Sequence, residues 1–277
     1  MSGSNFEQYD DKAYSYSVNR YPVGVEAILA GLGRCNKPLD QLRLLDAGCG
    51  TGNYLRAISP HVAHIVGVDA SQGMLESARA KELPNVELQQ STLQDLPFKD
   101  ASFDGVMVNF VLHHLDNTEG CDNGFPAVQL ALKEIRRVLK PGGALIIQTS
   151  SHEQLLDGYW WAEIIPEAMT AYKHRYPKLK HLEALLSQMG ISDFEHYIEV
   201  DEVLQGESYF DPKGPFNKTY RDADSNWTLV SPDELESALN KLREHEANNN
   251  LEKFVQDRDS LRKKIGQMTF IKALVKS

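Results

Sequence analysis

The chain has 277 residues, a hydrophobic fraction of 42%, a charged fraction of 25% and a formal net charge of −10. These values are ordinary for a globular protein and allow one large α/β domain with an appended cap. The acidic balance argues against a nucleic-acid partner, because a phosphate backbone binds a basic surface. No apolar run approaches the roughly 18 residues that cross a bilayer, and the acidic, tyrosine-rich first residues are unlike a signal peptide. We therefore expect a cytoplasmic protein with no membrane segment.

The first elements in the chain alternate in type. Val25, Ile28, Leu29 and Leu32 recur at helical spacing and predict an amphipathic helix before residue 40. The predicted strands that follow are Leu42–Leu45, Ile65–Val68, Val86–Leu88, Phe103–Val108 and Ala144–Ile147. The predicted helices between them are Asn53–Ile58, Met74–Lys81 and Ala127–Leu139, the last closed by Pro141-Gly142-Gly143. Such alternation predicts a parallel sheet with right-handed crossovers.

The second half of the chain contains an insertion. A helix over Leu179–Met189 stops at Gly190, as at a glycine C-cap. Phe194–Val200 and Met268–Val275 are predicted as the two last strands, which are too far apart for a hairpin. Between them we predict a helix with Ser231 as N-cap and Glu234 as its capping-box partner, and another helix over Leu251–Ile265. The insertion is expected to form a lid or an oligomer contact.

A glycine-rich turn follows the first predicted strand in Asp46-Ala47-Gly48-Cys49-Gly50-Thr51-Gly52. Glycines there let the backbone turn tightly and approach a ligand, and the helix start that follows offers free N–H groups. Asp69 ends the second strand about 20 residues later, where an acid can bind both ribose hydroxyls of an adenosine. The glycines alternate, whereas a dinucleotide site has Gly-x-Gly-x-x-Gly. A carboxylate at residue 46 could orient the loop amides or pair with a ligand amino group.

These segments resemble class I S-adenosylmethionine-dependent methyltransferases, in particular the small-molecule branch that includes the ubiquinone and menaquinone biosynthesis methyltransferases. The resemblance covers roughly residues 40–150. It is carried by the glycine turn and, in order, by Val68–Leu75, Gln94–Phe98, Ser102–Val106, Leu112–Leu115 and Arg137–Gly143. The fold it implies is an α/β, Rossmann-like, seven-stranded, mostly parallel sheet with helices on both faces. Its last strand is antiparallel, and a helical insertion precedes that strand.

The resemblance implies S-adenosylmethionine as cofactor and methyl transfer to a small-molecule acceptor by in-line displacement. The cofactor-binding residues implied are Tyr16, Arg20, Asp46, Gly48, Gly50, Gly52, Asp69, Ala70, Met74, Asp95, Leu96 and Asn109. Asp69 is expected to hold the ribose, Asp95 the adenine amino group with Leu96 beside it, and Asn109 the methionine part. In the leader, Tyr9, Tyr16 and Arg20 resemble a pattern that such enzymes place over the site, with Arg20 expected to pair with the cofactor carboxylate.

His113 and His114 are the candidate catalytic residues, because a general base is needed if the acceptor arrives protonated. Each can equally be a structural histidine. Tyr159, Trp160, Trp161 and Tyr172 supply aromatic surface that could hold a flat acceptor or a methylated cation, or could simply pack in a cap. Three dispersed cysteines, Cys35, Cys49 and Cys121, indicate neither a disulfide framework nor a metal site.

We predict a single methyltransferase domain, divided into an N-terminal lid (1–39), a cofactor-binding core (40–150), a cap segment with a late strand (151–200), a helical insertion (201–266) and the final strand (267–277). Two other functions remain open. One is an NAD(P)-binding Rossmann oxidoreductase, disfavoured by the glycine spacing. The other is a non-catalytic S-adenosylmethionine-binding protein. The acceptor and the oligomeric state are not indicated by the sequence.

Overall fold

A computed structural model describes residues 21–116 and 124–276. Within those residues one sheet has seven strands in the order β3-β2-β1-β4-β5-β7-β6, and β7 runs antiparallel to both of its neighbours. The other pairs are parallel. The strands are β1 Arg43–Ala47, β2 His64–Asp69, β3 Val86–Gln90, β4 Phe103–Asn109, β5 Leu139–Thr149, β6 Ile191–Glu199 and β7 Met268–Val275. The predicted fold class, with its antiparallel last strand, is confirmed.

Helices cover both faces of this sheet. In the described part of the chain they are α1 Val25–Leu32, α2 Asn53–Ile58, α3 Gln72–Arg79, α4 Pro126–Val138, α5 His152–Asp157, α6 Pro166–Lys173, α7 Leu179–Gln188, α8 Lys218–Asp222, α9 Pro232–Ala247 and α10 Leu251–Ile265. One buried apolar cluster joins α4 and α7 to the sheet, and a second joins α1 and α2 to the opposite face. The sheet therefore has a hydrophobic core on each face, because successive side chains of a strand point to opposite faces.

Two strands begin earlier than predicted. β5 begins at Leu139 and not at Ala144, because Leu139 pairs with Phe103 before the register shifts to the pair Gly105 and Ala144. Helix α4 accordingly ends at Val138, and Pro141-Gly142-Gly143 lies within the strand. β6 begins at Ile191 and not at Phe194, and its register shifts between Ser192 and Glu195. Both strands contain a register shift, which a pattern of apolar residues does not reveal.

The segment after β5 and the insertion after β6 form a common cap with an aromatic core. Its largest fully buried side chains are Trp160, Trp161, Tyr172 and Tyr209, and α9 and α10 contribute apolar residues to the same cluster. The cap is tied to the sheet by α10, where the buried Arg262 pairs with Asp259 and donates to the carbonyl oxygen of Val200. Trp160 and Trp161 thus pack in the cap core.

The start of α9 differs from the prediction in one respect. Ser231 is the N-cap, as predicted, since its Oγ accepts a hydrogen bond from Glu234 N. The predicted capping box is wrong. The Glu234 carboxylate accepts instead from the backbone N–H groups of Glu167 and Ala168 at the start of α6. Glu234 therefore caps a neighbouring helix and joins the two parts of the cap.

No helix within residues 21–116 and 124–276 is long and apolar enough to cross a membrane. In the same residues no group of three histidine, cysteine, aspartate or glutamate side chains could hold a metal ion. Cys35 and Cys49 are buried free thiols.

Candidate active site

The turn after β1 is built around glycines in left-handed conformations. Gly48 and Gly50 have φ angles of +83° and +51°, which L side chains rarely adopt. The N–H groups of Gly48 and Cys49 both donate to the carbonyl oxygen of Val68, which holds the turn against β2. A Cβ added at Gly48 would lie 2.3 Å from the Val111 side chain, whereas one added at Gly50 would have nothing within 4 Å. Gly50 therefore presents bare backbone to open space.

Asp69 closes the turn from the neighbouring strand. One carboxylate oxygen accepts from Gly50 N and the other from Ser71 N, each at 2.9 Å. These two bonds fix the carboxylate plane at the carboxyl end of β2, between the glycine turn and the start of α3. Since a carboxylate oxygen can accept more than one hydrogen bond, Asp69 can serve the turn and a ligand together.

Asp46 is the next-to-last residue of β1, and Asn109 is the last residue of the adjacent strand β4. Asp46 is 1% exposed, and Asn109 Nδ2 donates to its Oδ1 over 3.4 Å. Two buried oxygens, Asp46 Oδ2 and Asn109 Oδ1, have no hydrogen-bond partner among the described residues. Burial raises the pKa of Asp46 to about 7, opposed by the hydrogen bond from Asn109 and reinforced by the nearby Asp69. Buried oxygens are rarely left without a donor, so this pair marks a polar spot at the ends of β1 and β4 whose donor is not among the described residues.

A large cavity lies over these groups, at the carboxyl ends of the parallel strands. It holds about 1130 Å³ between the protein atoms, counting the part open to solvent. Eight of the residues predicted from the sequence line it, namely Asp46, Gly48, Gly50, Asp69, Ala70, Met74, Asn109 and His114. Met74 is buried yet belongs to none of the apolar core clusters, so its side chain is part of the cavity wall.

Four other predicted residues do not line this cavity. Gly52 is the residue before α2, and a Cβ there would lie 3.0 Å from Ala78. Asp95 is exposed, and the backbone of Leu96 is held by Glu134 and Arg137 of α4.

The fourth, His113, is 4% exposed and lines a second cavity. The leader residues Tyr9, Tyr16 and Arg20 lie outside the described residues.

Thr92, Leu93 and Gln94 line the cavity where Asp95 and Leu96 were expected. They lie just after β3, which ends at Gln90 beside β2, so the chain reaches the cavity three residues earlier than the predicted Asp95. The position of the strand end was the available signal, because ligands bind at the carboxyl ends of parallel strands.

Other residues that line the cavity were not singled out by the sequence. Tyr21, Tyr54 and Leu204 are among them, and Tyr54 Oη donates to the carbonyl oxygen of Val23. Gly24 N donates to Glu202 Oε2 at 3.1 Å, which joins the segment before α1 to the loop after β6. Segments far apart in the chain therefore meet over the cavity, a contact that no local pattern predicts.

The second cavity is smaller and adjoins the first, since Phe110 and Leu204 line both. Its other lining residues are His113, Tyr159, Tyr172, Tyr176, Asp224, Ser225 and Asn226. The His113 ring stacks on Tyr176 with centroids 4.3 Å apart and planes 9° apart. Of the four aromatic residues predicted to be available to an acceptor, Tyr159 and Tyr172 line this cavity.

Residues 45–147 match the family model described as a methyltransferase domain. Over 109 residues the chain is 38% identical to the uncharacterized methyltransferase YcgJ of Bacillus subtilis, covering 38% of this chain and 39% of that protein. Over 119 residues it is 36% identical to a demethylmenaquinone methyltransferase of Staphylococcus aureus, covering 41% of this chain and 45% of that protein. The matched regions span less than half the length of these curated relatives.

Solved structures extend the likeness to nearly the whole chain. A candidate methyltransferase from an antibiotic biosynthesis pathway of Anabaena variabilis superposes with a TM-score of 0.72 at 19% identity, covering 92% of this chain and 98% of that one. The phosphoethanolamine N-methyltransferase 2 of Haemonchus contortus, in complex with S-adenosyl-L-methionine, gives 0.57 at 18% identity, covering 97% and 57%. At these identities the likeness establishes the fold. The domain match at residues 45–147, together with these relatives, supports a class I S-adenosylmethionine-dependent methyltransferase.

Proposed function

We propose that this protein transfers the methyl group of S-adenosylmethionine to a small-molecule acceptor. The observation that carries the proposal is the pair of buried oxygens, Asp46 Oδ2 and Asn109 Oδ1, in side chains that line the large cavity. A carboxylate oxygen beside an amide oxygen suits an ammonium group, which only donates hydrogen bonds. The methionine part of S-adenosylmethionine has an ammonium group, whereas a nicotinamide dinucleotide has none.

The rest of the cavity fits the adenosine part. Asp69, oriented by Gly50 N and Ser71 N, would bind the ribose hydroxyls at the end of β2. Ala70 and Met74 would pack along the ribose and the adenine ring, as predicted from the sequence. The polar side chains of Thr92 and Gln94 replace Asp95 as the groups nearest the adenine amino group, because they line the cavity and Asp95 does not. Gly50 leaves room for the ligand to contact the backbone.

The leader would complete the proposed site. Arg20 would pair with the cofactor carboxylate and Tyr16 would lie over the cofactor, both inferred from the sequence resemblance. The cap segment at 151–200 and the insertion at 201–266 would choose the acceptor. The name of one relative, demethylmenaquinone methyltransferase, favours a small acceptor.

When bound, the cofactor supplies an electrophilic methyl group on a sulfonium whose thioether leaving group needs no protonation. The protein's task is then to align the acceptor and exclude water. Tyr21, Tyr54 and Leu204 line the cavity and would help to exclude water, and Phe110 lines both this cavity and the second one. His114 lines the first cavity and His113 the second, and either would take a proton from an acceptor that arrives protonated.

Calorimetry with three ligands tests the proposal. S-adenosylhomocysteine should bind, the same molecule without its α-amino group should bind at least tenfold more weakly, and NADH should not bind. Transfer of label from methyl-labelled S-adenosylmethionine to an acceptor then separates an enzyme from a non-catalytic binding protein. Equal affinity for the two adenosyl ligands would remove the reason for assigning Asp46 and Asn109 to the ammonium group.

A further inference from the structure

A loop after β3 forms the part of the cavity wall where the adenine ring would lie. Residues 91–102 make up this β3–β4 loop, which connects the end of β3 to the start of β4. Thr92, Leu93 and Gln94 of the loop line the large cavity. Leu93 is buried in the core, but Thr92 is exposed and Gln94 is half-buried, so little packing fixes these two polar side chains. Their position relative to a ligand therefore depends on how the rest of the loop is held.

Two side chains of α4, Glu134 and Arg137, hold the far part of this loop. They lie one helical turn apart on the same face of the helix. The Glu134 carboxylate accepts from Leu96 N at 3.0 Å, and Arg137 Nη2 donates to the carbonyl oxygen of Leu96 at 2.9 Å. Arg137 Nη1 donates in addition to the carbonyl oxygen of Phe98 at 2.6 Å and to the Asp100 carboxylate at 2.9 Å. Both backbone polar groups of Leu96 are thus bonded to α4.

The same two side chains also bond to each other. Arg137 Nε donates to Glu134 Oε1 at 2.8 Å, and Arg137 Nη2 donates to Glu134 Oε2 at 2.6 Å. Such a two-point contact between guanidinium and carboxylate is strong and fixes the relative orientation of the two groups. The hydrogen bond from Arg137 is the main cause that lowers the pKa of Glu134, so this carboxylate is ionised at neutral pH. Glu134 and Arg137 therefore form a rigid clamp on the β3–β4 loop.

We propose that Glu134 and Arg137 are positioning residues that set the selectivity of the cofactor cavity for adenine. The inference rests on the proposed function and names the residues that control the base end of the cofactor. By holding Leu96, the clamp fixes the short stretch between Leu96 and the end of β3, from which Thr92 and Gln94 reach the cavity. Hydrogen bonds weaken steeply as their distance and angle depart from the ideal. A shift of this stretch would therefore cost the contacts to the base.

The other parts of the cofactor would be held by groups that the clamp does not touch. Asp69 accepts from backbone N–H groups of the glycine turn and of the N-cap of α3, and Asp46 lies beside Asn109. Leu93 and Leu96 are buried in the core that α4 shares with the sheet, so the loop should stay packed on the domain without the clamp. Loss of the clamp is therefore expected to affect recognition of the base alone. A role limited to stability would instead weaken all adenosyl ligands alike.

Calorimetry with two ligands that differ only in the base tests the inference. S-adenosylhomocysteine has the adenine amino group, whereas S-inosylhomocysteine has an oxygen in its place, so a donor is replaced by an acceptor. The unaltered protein should prefer the adenosyl ligand at least tenfold, because a site that hydrogen-bonds a group rejects an analogue without it. In Arg137→Lys this preference should fall at least fivefold, and affinity for the inosyl ligand should stay within twofold. Lysine keeps the charge, but its single nitrogen cannot hold Glu134 and the loop carbonyls together.

A second variant and a matched control complete the experiment. Glu134→Gln should lower the preference in the same way, because it replaces one carboxylate oxygen by a donor that faces the donors of Leu96 or Arg137. Arg136→Lys is the control, since the adjacent Arg136 of α4 donates from Nε to the carbonyl oxygen of Met189 and does not contact the loop. Its preference for the adenosyl ligand should stay within twofold of that of the unaltered protein.

Thermal melting shows whether each variant folds, and Glu134→Gln supplies the measurement if Arg137→Lys does not fold. Three results would overturn the inference. They are equal binding of the two ligands by the unaltered protein, an undiminished preference in the clamp variants, and an equal loss of affinity for both ligands. Absence of S-adenosylhomocysteine binding to the unaltered protein would instead refute the proposed function.

Discussion

Replacing Asp46 by Asn is the perturbation with the sharpest expected signature. The change keeps the shape and the acceptor oxygen that faces Asn109, but it removes the charge. Burial holds the pKa of Asp46 at about 7, against an ordinary value of 3.8. At pH 8 the unliganded protein therefore contains a buried carboxylate that is ionised without a cationic partner among the described residues. By linkage, that difference corresponds to about 4 kcal/mol of lost stability.

The sign of this effect sets its pH range. A group whose pKa is raised on folding stabilises the folded state fully below its unfolded pKa, and that contribution is lost as the pH rises through the folded pKa. The stability of the unliganded protein should fall between about pH 4 and pH 7 because of Asp46. Asp46→Asn should abolish that fall. Its thermal midpoint at pH 8 should exceed that of the unaltered protein by several degrees, since 1 kcal/mol shifts the midpoint by roughly 2–4 °C in a chain of this size.

The same variant should bind the cofactor poorly. Loss of one charge-assisted hydrogen bond to the ammonium group costs about 1.5–3 kcal/mol, which is roughly a 10- to 150-fold loss of affinity. Calorimetry with S-adenosylhomocysteine and thermal melts at pH 5 and pH 8 measure both effects. Greater stability together with weaker binding is the expected outcome. If Asp46→Asn melted below the unaltered protein at pH 8, Asp46 would be a structural residue and the reasoning would be refuted.

Asp104 provides a control of opposite sign. Burial acts to raise its pKa, but hydrogen bonds from Lys140, from Arg43 N and from Lys37 outweigh burial and lower it. Its ionised form therefore stabilises the fold, and this contribution is lost as the pH falls through the lowered pKa. Asp104→Asn should lower the thermal midpoint at pH 8 and leave cofactor affinity unchanged.

Three further predictions follow from the same geometry. Affinity for S-adenosylhomocysteine should decrease as the pH falls below about 7, because protonated Asp46 is a poorer partner for ammonium; a flat pH profile would contradict this. Gly50→Ala and Gly190→Ala each place a Cβ in open space at a left-handed φ angle, so both should lower the free energy of unfolding by about 1 kcal/mol. Calorimetry should show weaker cofactor binding in Gly50→Ala alone. Glu234→Ala should lower stability to chemical denaturation by about 1 kcal/mol because it uncaps α6, and the exposed Glu236→Ala, its control, should have no measurable effect.

The sequence predicted those features of the fold and of the site that depend on local residue patterns. The alternation of apolar runs predicted the parallel strands, and the glycine turn with Asp46 and Asp69 predicted the centre of the cavity. These features depend on residues close together in the chain, where backbone conformation and strand ends are set by a few neighbours. Met74, with its N–H bonded to the Ser71 N-cap, was predicted for the same reason.

The second cavity depends instead on packing between distant segments. Asn226 and Asp224 reach the second cavity only because the insertion packs against the aromatic segment after β5. The spacing of apolar residues in the sequence does not show that a polar residue such as Asn226 will be buried by the cap. The shift from Asp95 to Thr92 and Gln94 has a similar cause, since the side chain that meets the cavity depends on where β3 ends.

The most direct test is an equilibrium titration of the purified protein with S-adenosylhomocysteine, repeated with Asp69→Ala. Micromolar binding that weakens at least tenfold in the variant is expected if Asp69 holds the ribose. Undiminished affinity in Asp69→Ala, or tight binding of NADH in place of the adenosyl ligand, would contradict the assignment of this cavity.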